Sequence, residues 1–453
     1  MPTRSVLERC ESRMKKYDLL DSVVDLPKWS SAQGRGSQSS LGAAATPLHI
    51  SELLAAERRL VSERIDSFSL YIHVPFCPSR CFSCDHQTVI QHDQELINRY
   101  LTAMDSEFDR IGQLDGIGPK ISKIQLGGGS PNYLSDSQLA RLFQSLESRL
   151  GIGPAVNVSM DINPRYASRR QLSLLRGFGV TQLNLEVRDV DANVQMALGR
   201  SVSLDLLEDV MCNARELGFA EVHMDLLFGL PGQTVSGMRD SVSNMSELGP
   251  DLLLVQPFER RPNLYPHQST LASDRMPSLA QRLAMFNSIV DHMESSGYQW
   301  IGLNGFVRSG HPFAVAQSRG DLRVNTLGFA VEGSDFVVGC GLGAISELPG
   351  LMAQNQPELL PWLRAVERNG CAPWLAVDAD DPEVIRRTIL RQLQAGQGVA
   401  MASYDRDVLD DAVGSLVEVG YVGLHNARYR LTMAGRYVLA HVLGDSSPNF
   451  RWY

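Results

Sequence analysis

Period-two alternation of apolar and polar positions recurs from Ser69 onward, in the runs SLYIHV, SKIQL, VNVSMDI, TQLNLEV, EVHMDLLF and DLLLVQPF. Each has the spacing of a strand whose side chains point alternately to two faces. Between them lie stretches with an apolar residue every three to four positions, such as Leu96, Ile97, Tyr100, Leu101, Met104, Phe108 and Ile111, which predict helices with one buried face. Six strands alternating with five helices imply parallel strands joined by crossovers, that is, an α/β open sheet or a partial barrel. In such folds the chemistry gathers at the carboxyl ends of the strands. The residues that follow these runs suit that rule: Pro75 to Cys84, Gly127 to Pro131, Asp161 to Pro164, Arg188, and Gly229 to Gly232.

Elsewhere the pattern is less regular. Residues 30–46, rich in Ser, Gly and Ala, read as a flexible segment. From about Pro262 to Ala372, a stretch that includes GCGLGAIS at 339–346, periodicity does not reveal a role. From Asp381 helical spacing returns and predicts a small helical or winged-helix-like tail. The boundaries drawn are an N-terminal arm over 1–65, the strand-and-helix core over 66–300, a connecting and covering region over 301–375, and the tail over 376–453. No repeat of fixed period emerges.

Composition narrows the class. The 453 residues allow two or three domains, and 43% hydrophobic with 21% charged residues excludes a disordered or collagen-like chain. Lys plus Arg (42) against Asp plus Glu (51) gives a net charge of -9, which offers no reason to expect a nucleic-acid partner. The opening MPTRSVLERCESRMKKYD lacks the apolar core of a secretory signal, and no window approaches 18 consecutive apolar residues. The expectation is a soluble cytoplasmic protein without a membrane partner.

Seven cysteines are too few for a disulfide scaffold, yet Cys77, Cys81 and Cys84 stand as C-x3-C-x2-C within YIHVPFCPSRCFSCDH. Three thiolates converging at a strand end suit zinc or an iron-sulfur cluster, because soft sulfur matches those metals. A zinc site with His86 as fourth ligand is the alternative, although structural zinc usually draws on two separated ligand pairs. Cys10, Cys212, Cys340 and Cys371 lack ligand spacing and read as ordinary small buried or semi-buried residues.

C-x3-C-x2-C after an aromatic strand, followed by GGGSP at 127–131, resembles the radical S-adenosylmethionine (SAM) enzymes. The segments YIHVPFC, QLGGGSPNYLS, DINPR, MDLLFGLPGQT and GYQWIGLNGFVRSGHPFAVAQSRGDLRVN resemble, over roughly residues 68–445, the oxygen-independent coproporphyrinogen III dehydrogenase (oxidase) family. The resemblance implies a partial (β/α)6 radical SAM barrel with an additional, mostly helical C-terminal domain. It also implies a 4Fe-4S cluster held by Cys77, Cys81 and Cys84, and one or two SAM molecules. On the SAM side it points to Tyr71, Gly128, Gly129, Ser130, Asp161, Arg188, Arg200 and Asp225. For several of these a plain reading stands beside the implied one: Tyr71 as a barrel-filling aromatic, the glycines as a tight turn, Arg200 as an exposed helical residue, Asp225 as a solvated strand-end acid. The GLPGQT turn at 229–234 can serve helix entry alone, or packing with adenine-side contacts, and the Arg260–Arg261 pair is a candidate for substrate carboxylates.

The chain also departs from that family. His86 stands where the family carries a fourth cysteine, DSVVDLPKWSS replaces its N-terminal arm, Asp161 replaces a Glu, Arg188 replaces a Gln, Asn304 and Gly305 replace an acid and a histidine, and Glu332 replaces a Gln. The implied activity is anaerobic oxidative decarboxylation of coproporphyrinogen III propionates to vinyl groups, giving protoporphyrinogen IX, in a monomer supplied with electrons by flavodoxin or ferredoxin. The departures keep open a paralogue performing radical methyl transfer or another reaction on a different substrate, or a haem-binding delivery protein.

Overall fold

The computed structural model describes residues 41, 44–63, 65–152, 156–331 and 336–442. Cys10, Glu332, the DSVVDLPKWSS arm and most of the Ser/Gly/Ala-rich segment fall outside them.

Six parallel strands follow the predicted runs: β1 (Phe68–Val74), β2 (Ile121–Gly128), β3 (Asn157–Ile162), β4 (Val180–Arg188), β5 (Glu221–Phe228) and β6 (Leu252–Pro257). They are hydrogen-bonded in chain order. The crossovers carry α1 (Gln94–Gly112), α2 (Asp136–Leu150), α3 (Arg169–Gly177), α4 (Leu204–Glu216) and α5 (Val235–Leu248), and α6 (Leu279–Ser295) follows β6. Short polar residues start these helices. Asp93 accepts from the Glu95 and Leu96 amides, Ser135 and Ser278 form capping boxes with Gln138 and Gln281, and Thr234 caps α5 through the Gly237 amide.

The alternation sets what each face of the sheet meets. Leu70 and Ile72 of β1, Ile124 and Leu126 of β2, Leu183 of β4 and Val222 of β5 belong to the main apolar core that includes the helices' buried residues. The alternate positions carry Lys123, Gln125, Gln182, Asn184, Glu186, His223 and Asp225, and these line an internal cavity. The barrel therefore has an apolar jacket and a polar interior.

The region whose role periodicity left unread extends the same sheet. β7 (Tyr298–Ile301) and β8 (Gly305–Arg308) form an antiparallel pair that joins β6. β9 (Val337–Cys340) runs parallel beside β1, and β10 (Ile345–Leu348), β11 (Leu351–Asn355) and β12 (Pro373–Asp378) continue outward antiparallel. With the short strand Thr46–Pro47 the sheet has 13 strands. In the GCGLGAIS stretch, Gly341 has φ 100° and a Cβ there would lie 2.5 Å from Tyr100 Oη, so only glycine fits the turn. α7 (Pro312–Arg319) follows β8, and α8 (Leu359–Asn369) lies between β11 and β12.

The tail consists of α9 (Pro382–Gln394), α10 (Arg406–Glu418), a small antiparallel sheet with the hairpin Val422–His425 and Arg428–Leu431, and α11 (Met433–Val442). It docks on the barrel where the Arg436 guanidinium lies 3.8 Å from the Trp300 ring centre and donates to the Gly302 carbonyl at 2.8 Å. Among the described residues no helix is long and apolar enough to cross a membrane.

Candidate active site

The loop after β1 carries the three thiols. Backbone bonds shape it: Cys84 N donates to Cys81 O at 3.1 Å, Val89 N to Pro75 O at 2.8 Å, and Phe82 N to Leu198 O at 2.9 Å. His267 and Gln268 hold the Cys84 carbonyl at 2.6 and 3.3 Å. All three cysteines are free and face one pocket, together with Gly128, Gly129, Ser130, Arg188 and Arg200. Burial pushes the Cys77 thiol up to about 12, helped by the neighbouring Cys84 and Glu186, and burial also raises Cys84. Such thiols hold no thiolate charge on their own at neutral pH, and a metal centre that takes them as thiolates relieves that cost.

Arg200 supplies the matching positive charge. Its Nη1 lies 3.7 Å from Cys81 Sγ, its Nη2 donates to the Glu186 carbonyl at 2.5 Å, and its buried Nε has no hydrogen-bond partner. It is therefore a buried cation beside the thiols, not an exposed helical residue. Ser130 Oγ accepts from Asn163 Nδ2 at 3.2 Å and stands 3.7 Å from Cys77 Sγ.

The GGG turn is dictated by packing as much as by approach to a ligand. A Cβ on Gly127 would lie 2.5 Å from Asp161 Oδ2, on Gly128 2.5 Å from the His73 ring, and on Gly129 2.6 Å from the Pro75 backbone. Without side chains the backbone of Gly128 and Gly129 forms the pocket wall.

A second cavity lies in the barrel interior, and Asp161, Arg188 and Asp225 line it. His86, Glu186, Arg188 and Gln256 border both cavities and so stand between the thiol pocket and the interior. Arg188 has φ 76° at an irregularity in the β4–β5 pairing, and its guanidinium reaches Asp225 Oδ2 at 2.5 Å and Glu186 Oε1 at 3.3 Å. Burial opposes charge on Glu186, yet Arg188 and Arg200 outweigh it and hold the carboxyl below its usual range. Asp161 behaves in the opposite way. Burial, reinforced by Glu186, pushes its carboxyl well up, and its Oδ1 accepts from Asn184 Nδ2 at 2.8 Å. An ammonium group placed against it would restore the carboxylate. His86 is partly buried and its pKa is lowered to about 4, first by desolvation and then by the Arg188 charge, so it faces both cavities as a neutral imidazole.

Other predicted residues lie apart. Tyr71 lines neither cavity; it packs with Leu327, Val337 and Ala344, and its hydroxyl meets His73 Nδ1 at 3.1 Å. In the GLPGQT turn, Gln233 bonds the Leu230 amide, the Leu227 carbonyl and Asp189, which is helix-entry geometry. Arg260 is spent on the Gln268 and Leu271 carbonyls, and Arg261 on Glu259. Of the remaining cysteines, Cys340 and Cys371 are buried, and Cys212 is exposed where a buried or semi-buried residue was expected, because it falls on the solvent side of α4.

The altered positions beside β8 have a steric consequence. A Cβ on Gly305 would lie 2.6 Å from the Phe329 ring, so glycine allows that ring to close against the cavity it lines with Phe313 and Leu327. Asn304 contributes its carbonyl to the Val255 amide at 2.9 Å. Sequence reasoning missed Lys123, Gln125, Gln182, Asn184, Glu186, His223 and Gln256 as cavity residues. The available signal was a polar side chain at every second position of strands in a parallel sheet, where both faces are ordinarily apolar.

Residues 71–244 match the radical SAM superfamily. The chain is 31% identical over 325 residues to the oxygen-independent coproporphyrinogen III oxidase of Escherichia coli strain K12, across 72% of this chain and 71% of that one. The Salmonella typhimurium protein of the same name is 28% identical over 385 residues, across 83% of this chain and 84% of the relative. The solved structure of coproporphyrinogen III oxidase from Escherichia coli, described as a radical SAM enzyme, matches with a TM-score of 0.78 and 26% identity, across 87% of this chain and 93% of that chain. These relatives do not favour the methyl-transfer or haem-delivery alternatives. Radical SAM membership brings with it a 4Fe-4S cluster and SAM, and three converging, partly buried thiols beside an orphaned Arg200 Nε suit that donor set. With a jacketed parallel barrel, thiols at its mouth and relatives aligned along most of its length, this chain belongs to the oxygen-independent coproporphyrinogen III oxidase family of radical SAM enzymes.

Proposed function

We propose that the protein oxidatively decarboxylates the propionate side chains of coproporphyrinogen III to vinyl groups without oxygen, giving protoporphyrinogen IX. The observation that carries this reading is the alignment with the Escherichia coli enzyme over most of both chains, with the thiol pocket and the barrel interior sharing one wall. Cys77, Cys81 and Cys84 would hold the cluster, and Gly128, Gly129, Ser130, Asp161, Arg188, Arg200 and Asp225 the SAM. Bound together, cluster and SAM supply one-electron cleavage and a carbon radical able to take a hydrogen atom from the propionate β-carbon.

The chain's own groups orient and exclude. Arg200 offsets negative charge at the thiols, and Asp161 offers a carboxylate to an incoming ammonium. Lys123 and Arg188 are the cationic side chains lining the interior, and they present themselves to a substrate carboxylate. Leu327, Phe313 and Phe329 cover the cavity and keep water out. The protein works as a cytoplasmic monomer with flavodoxin or ferredoxin as electron donor.

The test is anaerobic reconstitution with iron and sulfide, followed by reduction and addition of SAM and coproporphyrinogen III. The expected products are 5'-deoxyadenosine and a tetrapyrrole that has lost CO2 twice. Deoxyadenosine with an unchanged tetrapyrrole overturns the substrate assignment.

A further inference from the structure

At the end of the parallel strands remote from the thiols, three side chains that the proposed reaction does not use come together. Glu221 is the first residue of β5 and His223 lies two positions on, so both project to the same face of the strand. His311 follows β8 and caps α7. A carboxylate oxygen and two imidazole nitrogens from these residues all lie within 4.8 Å of one another. Glu221 Oε2 is 2.7 Å from His223 Nε2, and Glu221 Oε1 is 3.5 Å from His311 Nε2.

The longer contact is a proximity rather than a hydrogen bond. His311 Nε2 is buried without a hydrogen-bond partner, in a side chain only 9% exposed, and it points at the same carboxylate that His223 meets. A buried imidazole nitrogen with an unused lone pair or proton is costly. A cation shared with Glu221 and His223 would remove that cost. Two imidazoles and one carboxylate form a donor set for a divalent ion of the zinc class, and His223 lines the interior cavity, which leaves a further coordination position open to water or a ligand there.

Two neighbours bear on the assignment. The Phe313 amide donates to His311 Nδ1 at 3.1 Å, and metal on Nε2 requires a proton on Nδ1, so binding replaces one helix-capping hydrogen bond with metal bonds. Lys123 lines the same cavity and its attraction to Glu221 competes with a cation there, while burial lowers the Lys123 pKa and weakens that competition. Behind the ligands, Gln182 Nε2 meets His223 Nδ1 at 3.0 Å and Asn184 Oδ1 at 2.8 Å, and Asn184 continues to Asp161. Metal on His223 Nε2 likewise requires a proton on Nδ1, so binding exchanges the Gln182 hydrogen bond there as it does the Phe313 one.

We propose that Glu221, His223 and His311 bind one divalent zinc-class ion at the floor of the barrel, apart from the cluster. The test uses cluster-loaded protein, in which the three cysteines are occupied. It is equilibrated anaerobically with zinc ions, freed of loosely held metal by gel filtration, and analysed for zinc and iron per chain and for zinc-edge X-ray absorption. The expected result is about one zinc per chain in a nitrogen and oxygen environment. His311→Asn keeps a good helix cap while removing the imidazole, and Glu221→Gln removes the carboxylate. Each should weaken zinc binding roughly tenfold or more with iron content unchanged. No retained zinc in the unsubstituted protein, sulfur around the zinc, or undiminished binding in both variants overturns the proposal.

Discussion

The mouth of the barrel and its floor are built by opposite means. At the mouth, three thiols sit within eight residues of one loop, and a glycine turn packs against His73, Asp161 and Pro75. At the floor, the polar groups come from four places: Lys123 from β2, Gln182 from β4, Glu221 and His223 from β5, and His311 from the segment after β8. A local motif can be lost by one substitution, whereas a distributed constellation degrades in parts. The layer between them, with Arg188 paired to Asp225 and Glu186, couples the two.

The largest effect is expected at the mouth. Replacing Cys77, Cys81 or Cys84 with Ala should abolish cluster loading, read as iron per chain and visible absorption, and bring deoxyadenosine formation to background. A variant that kept its iron and turnover would show that the mouth is not organised around these thiols.

Next comes the dividing layer. Arg188→Met leaves Asp225 without its buried partner and Glu186 with Arg200 alone, and breaking such a pair costs about 3–5 kcal/mol. Denaturant unfolding should register that loss. A loss below about 1 kcal/mol would mean that the two cavities are not held apart by this pair.

The third expectation concerns pH. Burial, only partly offset by the Gln87 carbonyl at 2.8 Å, lowers the His73 pKa from 6.5 to about 4. Between those values the unfolded chain binds the proton and the folded one does not, so stability is full above pH 6.5 and falls on acidification toward pH 4. The loss amounts to about 3 kcal/mol. Thermal unfolding followed over this window should show the slope, and His73→Asn should reduce it, leaving the part set by His86.

The smallest effect belongs to the interior lining. Gly305→Ala forces the Phe329 ring to shift and should cost about 1–3 kcal/mol. It should also alter KM for the tetrapyrrole more than kcat, because the ring covers the cavity and does not touch the thiols. An equal fall in both constants would place Phe329 closer to the chemistry.

What was legible follows the same division. The strands and helices of the barrel could be read because period two and period 3.6 are local, and the C-x3-C-x2-C and GGGSP motifs because they are contiguous. Glu186, Lys123 and His223 were passed over because each is a single polar residue in a strand, and only the assembled sheet brings them to one cavity. Val337–Cys340 could not be placed from its own residues, since its partner β1 lies more than 260 positions earlier and the pairing is settled by the assembled sheet.

That late pairing has a consequence for biogenesis. β1 leads directly into the cysteine loop, and one of its edges stays open until β9 has been synthesised, roughly 13–50 s later at about 5–20 residues/s. The loop itself is anchored late, since Gln87 Nε2 donates to the Pro357 carbonyl at 2.7 Å. A nascent chain thus carries an unprotected strand edge next to three unligated thiols for much of its translation. Iron and sulfide delivered after release would meet a finished pocket, whereas earlier delivery would meet thiols beside an unpaired strand edge.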